Sequence, residues 1–316
     1  MRKVTTTEPT EDTILRDGKE LLDQVEADLL NGRAEEGMDR LFGGLLDLRE
    51  RYPEPVWKDF ARGAAMDHSL RNRIHQDPMT RRSFEKPRGY AGDAVLLDFI
   101  YGLCEPDGTS GAGRLVYDFA ASRPAASAVR WRKRYIAREL DELARRKPGE
   151  GRVLSIASGH LREAAEARDV EELGLAEFVA VDSDEESMEL VRSTLPHVVG
   201  RPEPFTALFR DRSLFGRFDF VYSAGLYDYL QDKIACKLTA LMFRMLRPGG
   251  KLLLTNFLPT VVDAGYMESF MGWDLIYRTR TDLRALAADC PANEVASIAA
   301  WADSQRTIGY LEVQKT

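Results

Sequence analysis

The residue types best suited to chemistry cluster in the second half of the chain. Gly159 follows the apolar run Val153-Leu154-Ser155-Ile156-Ala157-Ser158, and Asp182 closes a second apolar run 23 residues later. A glycine lets the backbone pass close to a ligand, and an acid ending the next strand can take both hydroxyls of a ribose. The pair therefore fits a cofactor that contains a nucleoside. A pyrophosphate cradle needs Gly-x-Gly-x-x-Gly at a helix start, whereas this loop reads Ser158-Gly159-His160-Leu161-Arg162-Glu163, with one glycine and a carboxylate. Adenosine carrying a compact zwitterionic tail fits better, which points to S-adenosylmethionine. A chance Gly and Asp in an ordinary α/β domain is the competing reading of the spacing alone.

Such residues need a sheet edge to hold them. From Arg152 onward strand and helix alternate: VLSIAS, then the helical LREAAEARDVEELG, then EFVAVDSD and EESMELVRST. FDFVYSAG reads as a later strand, YLQDKIACKLTALMFRML as a helix ended by Arg247-Pro248-Gly249-Gly250, and KLLLTNF as a further strand. This alternation predicts an α/β fold with a mostly parallel, doubly wound sheet. VASIAAWAD and TIGYLEVQK, flanking Ser304-Gln305-Arg306, read as a terminal antiparallel hairpin.

The front of the chain is helical. Apolar residues recur at helical spacing from Ile14 to Leu29, from Met38 to Leu48 and from about Val56 to Met66. Residues Arg71 to Arg88 lose that periodicity and become basic, and Gly89-Tyr90-Ala91-Gly92-Asp93 reads as a loop before an apolar helix from Ala94. Residues 105–113 read as a turn-rich break. Two more helices follow, ending near Arg146. The expected organisation is a disordered lead over 1–12, an N-terminal helical cap over 13–150 and a cofactor-binding Rossmann-like domain over 151–316.

Composition narrows the function further. With 44 basic against 51 acidic residues the net charge is −7, so neither nucleic acid nor an anionic membrane is an expected partner. Three widely spaced cysteines without a CxxC, and four histidines that never pair at helical spacing, predict no metal site and no disulfide framework. The polar amino terminus lacks the apolar core of a signal peptide, and a cytoplasmic location is expected.

Several motifs together resemble one family. KPRGYAGD before an apolar helix, LSIASGHLRE, DSDEES, YSAGLYDYL, TNFLP and YMESFMGWDLIYR are similar to the class I S-adenosylmethionine-dependent methyltransferases, and within them to the bacterial enzymes of 3-hydroxy fatty acid methyl ester synthesis. The resemblance spans roughly Lys86 to Lys315. It departs at Ser158-Gly159-His160, where the family often has Cys-Gly-Pro, and at Tyr227-Asp228-Tyr229, where it usually has Phe-Asp-Tyr.

The resemblance implies cofactor roles for Ser155, Ala157 and Gly159 at the methionine part, and for Asp182 and Ser183 at the ribose and adenine edge. It sets Ser223, Ala224 and Gly225 beside the sulfonium. Tyr90, Asp228, Tyr229 and Asn256 are the expected catalytic residues, with Arg88, Asp93, Tyr266, Trp273, Tyr277 and Arg278 around the acceptor. Structural alternatives stand beside these: Asp93 as the cap of the Ala94 helix, Trp273 and Tyr277 as core packing, Asp228 and Tyr229 as a helix cap with a packed ring. Arg162 can meet the methionine carboxylate or pair with Glu166.

The expected activity is methyl transfer to a small carboxylate or amine in secondary or signal metabolism, with a small-molecule substrate and, among proteins, at most a second copy in a homodimer. Enzymes that cyclise the cofactor to azetidine-2-carboxylate and methylthioadenosine look alike and are the alternative. A regulatory protein that binds the cofactor without turnover is a third.

Overall fold

The computed structural model describes residues 10–104, 109 and 111–316. In chain order the helices are α1 (Glu11–Leu30), α2 (Ala34–Arg51), α3 (Glu54–Arg62), α4 (Ala64–Asp67), α5 (Leu70–Ile74), α6 (Pro78–Glu85), α7 (Ala94–Tyr101), α8 (Gly111–Ser122) and α9 (Pro124–Arg146). Then β1 (Arg152–Ile156), α10 (Arg162–Glu166), α11 (Arg168–Leu173), β2 (Glu177–Asp182), α12 (Glu185–Thr194), β3 (Val199–Pro202) and β4 (Phe218–Ser223) alternate. The chain ends with α13 (Asp232–Met245), β5 (Leu246–Phe257), α14 (Ala264–Glu268), α15 (Arg280–Ala285), β6 (Val295–Ala302) and β7 (Ile308–Lys315).

Two compact units form. One contains the chain to Ser127 together with Val262–Asp274; the other contains Ala128–Val261 and Leu275–Thr316. The division falls in the first turns of α9 rather than at Gly151, because α9 is tied to the sheet: the Tyr135 hydroxyl donates to Glu312 on β7 at 2.6 Å, and Lys251 on β5 pairs with Glu139.

In the helical unit, α1 starts at Glu11 on a Thr10 capping box, inside the stretch expected to be a disordered lead. The expected third helix breaks at Gly63 into α3 and α4. The basic stretch before Arg88 is helical in part, since Asp77 caps α6 by accepting from the Met79 and Thr80 amides. Of the expected break at 105–113, residues 105–108 and 110 lie outside the described residues, and α8 begins at Gly111.

The segment after β5 returns to this unit. Gly265 lies so close to Leu45 of α2 that a Cβ there would sit 2.6 Å from a backbone carbon, so only glycine fits. Tyr266 stacks on Phe42 with ring centroids 4.2 Å apart, and Glu268 accepts from Arg49 and from the Trp57 indole.

The sheet unit is built on the order β3-β2-β1-β4-β5-β7-β6. The first five strands are parallel, and β7 runs antiparallel to both β5 and β6, closing the expected terminal hairpin. Strands β1 and β4 are buried almost throughout, which is why they read as apolar runs without alternation. The strand order reverses direction between β1 and β4, and ligands of doubly wound sheets bind at the carboxyl edge of that switch point. No helix among the described residues is long and apolar enough to cross a membrane.

Candidate active site

The loop leaving β1 sits at that edge. Ala157, Gly159 and Leu161 all adopt left-handed backbone angles, with φ of 54°, 53° and 51°. Left-handed geometry costs a non-glycine residue roughly 1–2 kcal/mol, so Ala157 and Leu161 hold strain that the surrounding structure maintains. The buried Leu161 side chain anchors the loop, while Ala157, Ser158 and Gly159 stay partly open.

Asp182, 7% exposed at the end of β2, fastens this loop from the neighbouring strand. Its Oδ2 accepts from the Gly159 amide at 2.8 Å and its Oδ1 from the Asp184 amide at 2.9 Å. Burial pushes the Asp182 carboxyl above its ordinary range, opposed by those two amides and by His160. Each oxygen keeps a lone pair for a further donor, as a ribose diol requires. The Ser158 Oγ beside it is buried with no hydrogen-bond partner, a polar group that a bound nucleoside-containing ligand can satisfy. The residues present fit the cofactor that the sequence suggested.

On the other side of the switch point, Ser223 ends β4 and donates to the Ile156 carbonyl at 2.9 Å. The Ala224 carbonyl accepts from Thr255 at 2.7 Å, and Ala224 and Gly225 are partly open. Ser155 is buried in β1, between Ala180 and Tyr222 of the flanking strands. Ser183 follows Asp182 into the turn before α12.

Asp228, Asn256 and Arg278 come together, but as a closed network. Asp228 Oδ1 accepts from the Phe257 amide at 2.7 Å, and the Asn256 amide nitrogen donates to the carbonyls of Phe257 and Ile276. Arg278 is 2% exposed and donates to the Tyr227 and Leu230 carbonyls, to Asn256 Oδ1 and to Asp232. The structure thus gives Arg278 protein acceptors where the sequence suggested an acceptor pocket. Burial pushes the Asp228 carboxyl up to about 7 against the pull of Arg132 and Arg278. Tyr229, at 37% exposure, is open to solvent.

The remaining expected residues divide between the two units. Asp93 is buried in the helical unit, where it caps α7 by accepting from Leu96 at 2.8 Å and pairs with Arg82, which is its structural alternative realised. Tyr266 is buried in that unit with its hydroxyl 2.8 Å from Thr80 Oγ1, and Trp273 is buried there too. Arg88 and Tyr90 are partly exposed in the loop between α6 and α7. Tyr277 is partly buried in the sheet unit beside Arg278 in sequence. Glu166 is held by Lys133 of α9 at 2.9 Å.

Residues 128–298, more than half of the chain, match the family described as methyltransferase domain. The chain belongs to that family. S-adenosylmethionine is accordingly its cofactor. Among solved structures, the methyltransferase is similar to a possible exported protein from Bordetella parapertussis, with a TM-score of 0.58 and 19% identity over 78% of this chain and 92% of that one. It is also similar to the CMeT domain of the citrinin polyketide synthase, with a TM-score of 0.52 and 18% identity over 89% of this chain and 78% of that one. These likenesses show the fold. No curated protein matches the sequence.

One residue escaped the sequence reading. Arg132, one of several basic residues along α9, is 4% exposed. The signal was its register: it falls three residues after Val129 and four before Ile136, on the buried stripe of α9.

Proposed function

We propose that this methyltransferase acts on a small molecule and transfers the methyl group to a carboxylate or an amine. The observation that carries the cofactor side of this reading is the Asp182 carboxylate closed onto the Gly159 amide at the β1/β4 switch point. When bound, S-adenosylmethionine would supply an electrophilic methyl group on a sulfonium, whose sulfur departs as a neutral thioether, a good leaving group.

The chain's own residues position the partners. Asp182 takes the ribose hydroxyls, Ser183 borders the adenine, and the open backbone of Ala157 to Gly159 lets the nucleoside approach. Ser223, Ala224 and Gly225 leave the far side of the edge uncrowded by large side chains. A carboxylate acceptor is already a nucleophile at neutral pH, so alignment and exclusion of water suffice for it. An amine must first lose a proton, and Asp228, with a proton affinity matched to neutral pH, is the group that would accept it. The resemblance to enzymes of fatty acid methyl ester synthesis supports the carboxylate.

The test is to incubate the protein with S-adenosylmethionine alone, then with 3-hydroxy fatty acids or small amines, and to identify the nucleoside released. S-adenosylhomocysteine that forms only when an acceptor is present is the expected result. Methylthioadenosine formed without any acceptor overturns methyl transfer in favour of internal cyclisation.

A further inference from the structure

Arg132 carries an inference of its own. Helix α9 buries Val129, Ile136 and Leu140 on one face, and Arg132 takes a position on that same stripe. A guanidinium cannot shed its charge, so placing it there without a partner opposes folding unless something else matches its donors. Among the described residues Arg132 makes no hydrogen bond and no ion pair.

Its surroundings show where it points. One terminal nitrogen lies 4.0 Å from the position a Cβ would occupy on Gly225, so the side chain reaches the loop leaving β4. Its field also reaches Glu163 of α10, Asp228 after β4 and Tyr310 of β7. Neither acid makes a hydrogen bond or an ion pair with it, although both feel its charge. Glu163 accepts from the Tyr222 hydroxyl at 2.8 Å, and Asp228 accepts from the Phe257 amide. The Tyr310 hydroxyl is itself buried with no partner. An unmatched planar fork of donors, a second unmatched hydroxyl within its field and a glycine that leaves the approach clear form a cradle for a carboxylate.

We propose that Arg132 binds the carboxylate at the amino-acid end of S-adenosylmethionine through paired N–H···O bonds and thereby selects the intact cofactor over its nucleoside fragments. The inference rests on the cofactor reading above, in which Asp182 holds the ribose on one side of the switch point and Ser223 to Gly225 border the sulfonium on the other. It reassigns to α9 a contact that the sequence offered to Arg162.

Calorimetric titration separates the two claims. S-adenosylhomocysteine carries the carboxylate, and methylthioadenosine carries the same nucleoside without it. The wild type should bind both, S-adenosylhomocysteine more tightly. Arg132→Gln should lose about 10- to 100-fold in affinity for S-adenosylhomocysteine, the span of a charge-assisted contact, with methylthioadenosine moved less than about twofold. Arg132→Lys, which keeps the charge and loses the fork, should fall between, and it carries the test if the Gln variant melts out of its native fold. Unchanged affinity for S-adenosylhomocysteine in either folded variant, or equal losses for both ligands, overturns the role of Arg132 alone. A wild type that binds neither ligand overturns the cofactor reading beneath it.

Discussion

Two regions of the sheet unit, both at the carboxyl edge, use buried polar groups in opposite ways. Around Arg278 every donor meets a protein acceptor: Tyr227, Leu230, Asn256 and Asp232 surround the guanidinium, while at the end of β5 Asn256 donates to the Ile276 carbonyl and Asp228 accepts from the Phe257 amide. Around the β1 and β4 loops the groups are left part-used: Asp182 has lone pairs to spare, and among the described residues Ser158 Oγ has no partner and Arg132 makes no hydrogen bond or ion pair. A closed network holds a fold together and has little left to offer a ligand. An open one costs stability, which a bound molecule offsets. The two arginines, 2% and 4% exposed, differ in role because of the acceptors near them and not because of their burial.

The sharpest way to break this contrast is to remove Arg278. Arg278→Ala leaves two carbonyls and the Asn256 oxygen without their donor inside the unit, and should destabilise the protein by about 3–5 kcal/mol. Urea unfolding measures it. A loss under about 1 kcal/mol, combined with a large loss of ligand affinity, would return Arg278 to the binding site.

Much of this contrast was hidden in the sequence for a definite reason. The strand and helix order, the terminal hairpin and the pairing of Gly159 with Asp182 were legible because they depend on apolar runs and short spacings. Strand β3 was not placed, since Val-Gly-Arg-Pro has neither an apolar run nor alternation. The resemblance set Tyr266 and Trp273 around an acceptor; what fixes their segment in the fold is Gly265 fitting against Leu45, a contact between residues 220 positions apart that no local pattern announces. Residue type also misleads about arginine: Arg132 and Arg278 look equally suited to an anion, and only the positions of carbonyls brought together by folding separate them.

The next prediction concerns the open region. Asp182→Ala should weaken S-adenosylmethionine binding by about 100-fold, since it removes both the ribose acceptor and the clamp on the Gly159 amide. Asp182→Asn keeps an oxygen that can hold that amide and should retain the loop while losing part of the affinity. Calorimetry on both variants separates the two contributions. Equal affinity in wild type and Asp182→Ala would mean that the ribose lies elsewhere.

The smallest expected effect concerns Asp228, which lies in the closed region but carries a group suited to proton transfer. In the unfolded chain its carboxyl ionises near the ordinary 3.8, while burial in the native state pushes it up to about 7. Between those values the folded protein keeps a proton that the unfolded chain has lost. The sign follows: the Asp228 contribution is whole below about pH 4, falls as pH rises and has reached its minimum above about pH 7. At roughly 1.4 kcal/mol per pH unit, less the flattening near 7, the wild type should lose about 2 kcal/mol from this group between pH 5 and pH 7. Asp228→Asn has no such proton to lose and can still accept from Phe257, so the difference between its urea midpoint and that of the wild type should shift in the variant's favour across that range. A constant difference would mean that Asp228 stays ionised in the fold. Turnover sharpens the result, because an amine acceptor would lose its proton acceptor in Asp228→Asn, whereas a carboxylate acceptor would keep its rate and leave Asp228 with the scaffold.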